Sequence, residues 1–283
     1  ETAFIAKTAE ALKNIAVKVQ ATPVILGTIR QEEDKLFNTA VVLHNRKVSA
    51  FRDKTHLPIY DVFDEARYFT SADSRIPVEL NIQGKPVKIG IEICEDLWDK
   101  DYETKVSHEL VHAGAEILVN ISASPFHLNR IDERIDIMQD KSYNLKCYFI
   151  YCNLVGGQDE LVFDGQSCVV SPSGDLVSLS PAFREDIQIM DIENCESVNR
   201  PKFSEEKQIF HALSLGVQDY FVKTGHKKAV LGVSGGIDSA LTAVIASDAL
   251  GSENVLGISM PSIYSSDHSI EDAKALAENL GID

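Results

Sequence analysis

Hydrophobic residues fall on every second position along several short segments of the first two thirds of the chain. In VKIGIEIC, residues 87–94, aliphatic side chains run at this period from Val87 to Ile93, which predicts a half-buried strand ending at Cys94. Helical spacing occurs at 1–20, 102–114 and 130–145. Because these helices are interspersed among many strands, we predict a layered α/β sandwich over residues 1–193. Further strand segments are PVILGTI, TAVVLHN, KVSAFR, AEILVNIS, CYFIYCNLV, SCVVSP and LVSLSP.

The pattern changes after residue 193. Residues 194–205 are polar and contain Pro201, so we interpret them as a linker. Over residues 206–283 a helix, an apolar strand, a helix, a strand and a helix follow one another, which predicts the first part of a doubly wound parallel α/β domain. The capping signals are Ser204 and Gly225 for the first helix, Gly251 for the second, and Ser269 with Asp272 and then Gly281 for the third.

Both ends of the chain lie within predicted elements or domains. Two strands do not make a stable parallel sheet by themselves, so we expect the chain to stop inside its second domain. Residue 1 is Glu and the first segment is already helical, so we also expect the chain to begin inside a longer protein.

Composition narrows the classes of partner. The 283 residues carry a net charge of −16, from 43 acidic and 27 basic side chains, which disfavours a nucleic-acid partner. The sequence has no apolar run of about 18 residues that would predict a membrane span. Five cysteines without a Cys-x-x-Cys pair argue against a disulfide framework or structural zinc and favour a cytoplasmic location. HELVH, residues 108–112, matches a short zinc-protease string, but we interpret it as a polar helix face.

A glycine-rich loop, GVSGGIDS at 232–239, connects a predicted buried strand to a helix. Gly235 and Gly236 allow a tight turn and a close approach to a ligand, while Ser234 and Ser239 add hydroxyl donors. The helix N-terminus adds free N–H groups, so the loop predicts a phosphate site, with Asp238 as a Mg²⁺ ligand. The alternative is a plain strand–helix turn.

This loop resembles the pyrophosphate loop of ATP pyrophosphatases, the adenine nucleotide alpha hydrolase-like enzymes that adenylate a substrate. The following segment, MPSIYSSDHSIEDAKALAENLGI, is similar to NAD synthetases, where a Ser-Ser pair precedes the next helix. The resemblance implies that residues 206–283 are the N-terminal part of an ATP-binding domain. The implied ATP-binding residues are Gly232, Val233, Ser234, Gly235, Gly236, Ile237, Asp238 and Ser239.

Residues 40–165 resemble the nitrilase-type glutaminase half of glutamine-dependent NAD⁺ synthetases. This resemblance implies a four-layer αββα nitrilase-like sandwich for residues 1–193, as a glutamine amidotransferase domain that lacks its N-terminus. The strings that carry the resemblance are FRDKTHLPIYDVFDEARYF, GIEICEDLW, ILVNISASPF and NLVGGQDELVFDGQS.

Nitrilase chemistry uses a Cys, a Lys and a Glu. Acidic neighbours of Cys94 raise a thiol pKa, so a nucleophile here needs a positive partner, and the resemblance assigns Lys54. Glu65 resembles a supporting carboxylate that orients Lys54. The catalytic Glu of the family lies in a PEL…TGY-like strand end that has no match here, so we expect it upstream of residue 1 and expect this chain alone to be inactive.

The resemblance also implies glutamine contacts. Tyr60, Ser124 and Arg130 fall where the family holds this substrate, and Glu95 is placed to bind its α-amino group. The implied reaction hydrolyses the glutamine amide at Cys94 and transfers ammonia to ATP-adenylated deamido-NAD⁺, which gives NAD⁺, AMP and diphosphate. ATP and Mg²⁺ are the expected cofactors, without a tightly bound organic cofactor, and the family implies homo-oligomers.

Two alternatives belong to other functional classes. One is a stand-alone nitrilase-type amidohydrolase with a vestigial nucleotide domain, against which the intact loop at 232–239 argues. The other is an inactive scaffold, against which the presence of both Lys54 and Cys94 argues.

Overall fold

The computed structural model of the protein describes residues 2–82, 84–263 and 266–283. Its helices are α1 (Thr2–Ala16), α2 (Val106–His112), α3 (Arg130–Leu145), α4 (Glu205–Thr224), α5 (Ile237–Leu250) and α6 (Asp267–Leu280). Its strands are β1 (Val24–Glu32), β2 (Lys35–His44), β3 (Lys47–Asp53), β4 (Val78–Ile82), β5 (Lys85–Ile93), β6 (Ile117–Ser122), β7 (Tyr148–Asn153), β8 (Val155–Gln158), β9 (Leu161–Asp164), β10 (Cys168–Val170), β11 (Leu176–Leu179), β12 (Ala229–Gly232) and β13 (Val255–Ile258).

The first sheet is an antiparallel meander of β1, β2 and β3. Helix α1 covers one face of this sheet, where Ala16 packs with Val41 and Leu43. The helix ends at Ala16 and not at residue 20 as predicted. The carbonyls of Val19 and Gln20 instead accept hydrogen bonds from the turn between β2 and β3, at 2.7 and 2.8 Å.

The second sheet has the order β11-β10-β7-β6-β5-β4, in which β5, β6 and β7 are parallel and the other pairs antiparallel. One face packs on the first sheet, where Val42 meets Ile91 and Val119. The other face is covered by α2 and α3, through Leu110 and Ile135. The layers are therefore helix, sheet, sheet and helices, which confirms the predicted αββα sandwich.

Strand β5 is more deeply buried than its alternating pattern predicted. All residues from Ile89 to Ile93 are buried, and the Glu92 side chain is fully inaccessible. The prediction of a half-buried strand is therefore wrong for this half of β5. The reason is that β5 is an internal strand, paired on both sides by β4 and β6, and is covered by the first sheet on one face and by α2 and α3 on the other.

Helix α4 bridges the two parts of the chain. Ser204 caps its N-terminus by accepting a hydrogen bond from the Lys207 N–H, and Gly225 ends it in the left-handed conformation, as predicted. The helix packs on the β8–β9 hairpin, where the Asp219 carboxylate accepts the Gly157 N–H at 2.7 Å. It also packs against α5. The boundaries at 193/194 and 205/206 stay predictions.

The last part of the chain pairs β12 and β13 in parallel, as predicted, with α5 and α6 packed around Val255 and Ile282. The capping signal predicted for α6 is wrong. Ser266 is the N-cap and accepts the Ser269 N–H, because the helix already begins at Asp267. None of the described helices is long and apolar enough to cross a membrane.

Candidate functional site

A cavity of about 1480 Å³ opens at the carboxyl ends of β5 and β6. Parallel strands place their C-terminal residues at one edge of a sheet, which brings side chains from distant segments together. All the glutaminase residues predicted from the sequence line this one cavity. They are Lys54, Tyr60, Glu65, Cys94, Glu95, Ser124 and Arg130.

Cys94 occupies a sharp turn between β5 and a 3₁₀ segment, Cys94–Leu97. Its φ is +46°, a left-handed conformation that surrounding contacts must maintain in a non-glycine residue. The Asn120 side-chain amide donates to the Cys94 carbonyl at 3.4 Å, and the thiol is partly buried at the cavity wall. The turn therefore presents the thiol to the cavity.

The charged groups around Cys94 shift the pKa of its thiol in opposite directions. Burial raises the pKa of the thiol most, the Lys54 ammonium lowers it, and the carboxylates of Glu65 and Glu95 raise it again. Glu92, which the sequence also placed beside the thiol, is instead buried, and accepts a hydrogen bond from the Ser107 hydroxyl. Lys54 is therefore the charged group that favours the thiolate, and a hydrogen bond from the Ser122 side chain acts in the same direction.

Lys54 follows the end of β3 and is only 2% exposed. Its Nζ lies 2.7 Å from Oε1 of Glu65, and the other carboxylate oxygen of Glu65 accepts a hydrogen bond from the Asn38 side-chain amide at 3.2 Å. A buried ammonium is retained in a protein interior when it is paired in this way. Both oxygens of Glu65 are thus engaged in holding the cationic group in place.

A second carboxylate in the cavity is held by two phenols. Glu95 is buried, and its Oε2 and Oε1 accept hydrogen bonds from the hydroxyls of Tyr60 and Tyr102 at 2.7 and 3.1 Å. Burial and the Glu95 carboxylate raise the pKa of Tyr102 to about 12, so this phenol stays a donor at neutral pH. Tyr102 stacks on the His56 ring, with centroids 3.9 Å apart. Sequence reasoning missed Tyr102, because it lies outside the strings that resemble the glutaminase family.

Ser124 and Arg130 approach the cavity from the loop after β6 and from the first residue of α3. The Ser124 N–H donates to the Asn153 side chain at 2.9 Å. The Arg130 guanidinium lies over the Trp98 ring, 4.6 Å from its centroid, and pairs with Glu133 at 3.0 Å. A partly exposed cation at the rim can bind an anionic group of a ligand.

A buried ion pair supports this wall of the cavity and was not predicted. Arg134 is fully buried, and its Nη1 donates to both oxygens of Asp164 at 2.8 and 3.0 Å. Its Nη2 donates to the carbonyl and the hydroxyl of Ser124 at 3.0 and 3.2 Å. The pair joins α3, β9 and the loop that carries Ser124, so these segments depend on one another.

We expect Asp164→Asn to lower the free energy of unfolding by about 3–5 kcal/mol, because it leaves the Arg134 guanidinium buried without its counter-charge. Glu133→Gln on α3 is the matched control. Its carboxylate pairs with Arg130 but is 59% exposed, so it should cost about 1 kcal/mol or less. Urea unfolding measures the free energy of unfolding of both variants. Equal losses in the two variants would contradict the structural role of the buried pair.

The glycine loop lies away from this cavity, at the C-terminal end of β12. Gly235 has φ +79°, and a Cβ at this position would clash with the backbone of Ser269. The Ser239 hydroxyl accepts the Ser234 N–H at 3.2 Å and donates to the Gly236 carbonyl at 3.0 Å. The loop is therefore held in shape by hydrogen bonds of its own hydroxyls.

Most of the loop faces outward at the start of α5. Asp238 and Ile237 are exposed in the first turn of the helix, whereas Val233 is buried. In the described part of the chain, His, Cys, Asp and Glu side chains do not form a group of three or more placed to hold a metal ion. Of the predicted Ser-Ser pair, Ser266 caps α6, while Ser265 lies outside the described residues.

Two family models match consecutive parts of the chain, close to the domains predicted from the sequence. The model described as carbon-nitrogen hydrolase matches residues 3–200, and the model described as NAD synthase matches residues 209–283. Among curated proteins, the chain is 42% identical to a glutamine-dependent NAD(+) synthetase of Synechocystis and 40% identical to one of Aquifex aeolicus. These matches cover 99% and 89% of the chain. The resemblance to these synthetases is confirmed.

Solved structures give the same result. The glutamine-dependent NAD+ synthetase of Acinetobacter baumannii in complex with ADP superposes with a TM-score of 0.88 at 31% identity, over 98% of this chain and 52% of the other. A carbon-nitrogen hydrolase of Helicobacter pylori, at 24% identity and a TM-score of 0.54, shares the fold over 65% of each chain. The chain spans about half the length of the curated relatives it matches, 53% and 49% for the two above.

Proposed function

This chain belongs to the carbon-nitrogen hydrolase family, and from that premise we propose that it acts in the glutamine-dependent synthesis of NAD⁺, as a carbon–nitrogen ligase that uses glutamine as amido donor. The observation that carries the proposal is the cavity in which Cys94 lies together with the Lys54–Glu65 ion pair. The relatives above, which match along nearly the whole chain, support the same reaction.

The cavity would perform the glutaminase step. The Cys94 thiolate attacks the carbon of the glutamine side-chain amide, and the resulting tetrahedral intermediate expels ammonia and leaves a thioester. Water then hydrolyses the thioester to glutamate. The Lys54 ammonium favours the thiolate and stabilises the negative charge that develops on the amide oxygen.

Charged groups that line the cavity match the two charges on the α-carbon of glutamine. The Glu95 carboxylate, positioned by Tyr60 and Tyr102, would accept hydrogen bonds from the α-ammonium group of glutamine. Arg130 would pair with the α-carboxylate, and Ser124 would bind near it. This arrangement would orient the side-chain amide toward Cys94.

A carboxylate must also carry the proton to the departing ammonia and from the attacking water. We do not assign this step to Glu65, because one of its oxygens pairs with Lys54 and the other with Asn38. Glu65 instead orients Lys54.

The loop at 232–239 would bind the phosphates of ATP during adenylation of the nicotinate carboxylate of deamido-NAD⁺. The positive φ of Gly235 allows the tight turn of this loop, and the N-terminus of α5 favours negative charge. Oxygen ligands suit Mg²⁺, and the exposed Asp238 carboxylate fits this ion, which would neutralise phosphate charge when bound. Ammonia from Cys94 would displace AMP and give NAD⁺.

The proposal also covers the domains, the location and the assembly of the protein. Residues 1–193 would form the glutaminase domain, 194–205 the linker and 206–283 part of the synthetase domain. A cytoplasmic location and homo-oligomeric assembly follow from the family resemblance, and light scattering of the full-length protein would test the assembly.

The glutaminase site can be tested with the diazoketone analogue of glutamine, which replaces the amide nitrogen with a reactive carbon. We expect this analogue to alkylate Cys94, with loss of N₂, and Glu95→Gln to slow labelling at low concentration by about tenfold or more, since a hydrogen bond to a charged group contributes about 1.5–3 kcal/mol. Peptide mass spectrometry measures the label. Glu103→Gln is the control, because Glu103 is exposed in the same segment and is not among the residues that line the cavity. A label on other residues in place of Cys94, or an unchanged labelling rate in Glu95→Gln, would refute the proposed site.

A further inference from the structure

The Asp96 carboxylate joins the two segments that carry Lys54 and Cys94. Its Oδ1 accepts the backbone N–H groups of Thr55 and His56 at 3.1 and 2.8 Å. Its Oδ2 accepts the N–H of Ile93 at 3.0 Å. The side chain is only 2% exposed. One buried carboxylate therefore bonds to the residue after Lys54 and to the residue before Cys94.

These bonds restrain both ends of the Lys54–Cys94 pair. Cys94 has a left-handed φ of +46°, which its neighbours must hold, and the Asp96–Ile93 bond closes the same turn. On the other segment, Thr55 and His56 are tied down beside Lys54, whose ammonium reaches Glu65 at 2.7 Å. Thr55 and Asp96 are 41 positions apart in sequence, so the carboxylate fixes a distance that local structure does not set.

The charge state of Asp96 agrees with this role. Burial raises the pKa of Asp96 to about 6, and the three N–H donors and the Lys54 ammonium oppose this rise. The group is thus ionised at neutral pH and accepts all three hydrogen bonds. Uncharged Asn has the same shape but offers a single acceptor oxygen, so it cannot satisfy both segments.

We propose that Asp96 is a positioning residue that holds the Lys54 ammonium against the Cys94 thiol, so that the reactivity of Cys94 depends on a side chain that hydrogen-bonds to neither group. The proposal rests on the proposed function in one respect, because it takes Lys54 as the cation that activates Cys94. Asp96 lowers the pKa of Cys94 by placing the Lys54 charge, while its bond to Ile93 separately holds the turn that carries Cys94.

The test measures the rate at which iodoacetamide alkylates Cys94 between pH 6 and pH 10, resolved from the other cysteines by peptide mass spectrometry. We expect Lys54→Met to raise the midpoint of this profile by about one pH unit or more. Loss of the Asp96 charge alone would lower the thiol pKa, so a rise of the midpoint in Asp96→Asn, which we expect, reports displacement of Lys54. The midpoint of the double variant should not rise above that of Lys54→Met alone, because only the placement of Lys54 links Asp96 to a lower thiol pKa.

Asp99→Asn is the matched control. Asp99 is also buried and lies one turn later, but it pairs with Lys141 at 2.9 Å and not with the backbone of the Lys54 segment. We expect it to leave the midpoint within about 0.3 pH units, well below the shift caused by loss of a paired cation. Asp96→Ser, which also has a single acceptor oxygen and less bulk, repeats the test in case Asp96→Asn does not fold.

The outcomes separate the two proposals. An unchanged midpoint in Lys54→Met would reject Lys54 as the activating cation and the proposed function of the pair. A shift in Lys54→Met with none in Asp96→Asn, or additive shifts in the double variant, would reject the role of Asp96 alone. Failure of both Asp96 variants to fold, with Asp99→Asn folded, would also overturn it, since Asp96 would then serve the stability of the fold.

Discussion

Replacing Cys94 with alanine is expected to abolish NAD⁺ synthesis from glutamine, by about a thousandfold or more, while synthesis from ammonia continues near its native rate. The reason is that Cys94 lies in the β5–β6 cavity, whereas the loop proposed to bind ATP lies at the end of β12. Alanine removes the nucleophile without disturbing the loop. Steady-state assays of the full-length protein with either nitrogen source measure both activities.

The control for this variant is Cys152→Ala. Cys152 is exposed on β7 and is not among the residues that line the cavity, so its loss should leave both activities within about twofold. Equal loss with glutamine and with ammonia in Cys94→Ala would contradict the assignment of separate sites.

Asp238→Ala is expected to impair the ATP-dependent activity and to spare glutamine hydrolysis. ATP-dependent turnover should fall by about a hundredfold or more, because the exposed carboxylate at the start of α5 is the proposed ligand of the Mg²⁺ that accompanies ATP. Glutamine hydrolysis should stay within about twofold, since Asp238 is not among the residues that line the glutaminase cavity. Release of diphosphate and release of glutamate from the full-length protein measure the two activities separately.

A second aspartate on the same helix provides the control. Asp248 is exposed near the C-terminal end of α5, so Asp248→Ala should leave both activities unchanged. If diphosphate release survived unchanged in Asp238→Ala, the metal role of this carboxylate would be wrong.

Much of the fold could be predicted where local pattern and tertiary environment agree. The helix over residues 130–145 has the predicted bounds, and Ser204 and Gly225 end α4 as predicted, because periodicity and capping are local properties. Strands β4 and β9 were not predicted. Strand β4 does alternate, at Val78, Leu80 and Ile82, and sequence reasoning missed it, whereas β9 has only 4 residues beside a turn.

The site could be predicted only in part, for a related reason. The string matches identified Cys94, Lys54 and the other cavity residues, and the structure places them around one cavity. Sequence reasoning missed the Arg134–Asp164 pair and the bonds of Asp96 to the Lys54 segment. These interactions join residues that are 30 and about 40 positions apart, so neither periodicity nor a short motif indicates them.

The central claim is that one protein releases nitrogen from glutamine at Cys94 and incorporates it into NAD⁺ at a second site. The most direct measurement supplies the full-length protein with glutamine labelled with nitrogen-15 at the amide, together with unlabelled ammonium, and determines the label in the amide of NAD⁺ by mass spectrometry. The native protein should form labelled NAD⁺, and Cys94→Ala should form only unlabelled NAD⁺. Unlabelled product from the native protein, or equal label from both proteins, would contradict the claim.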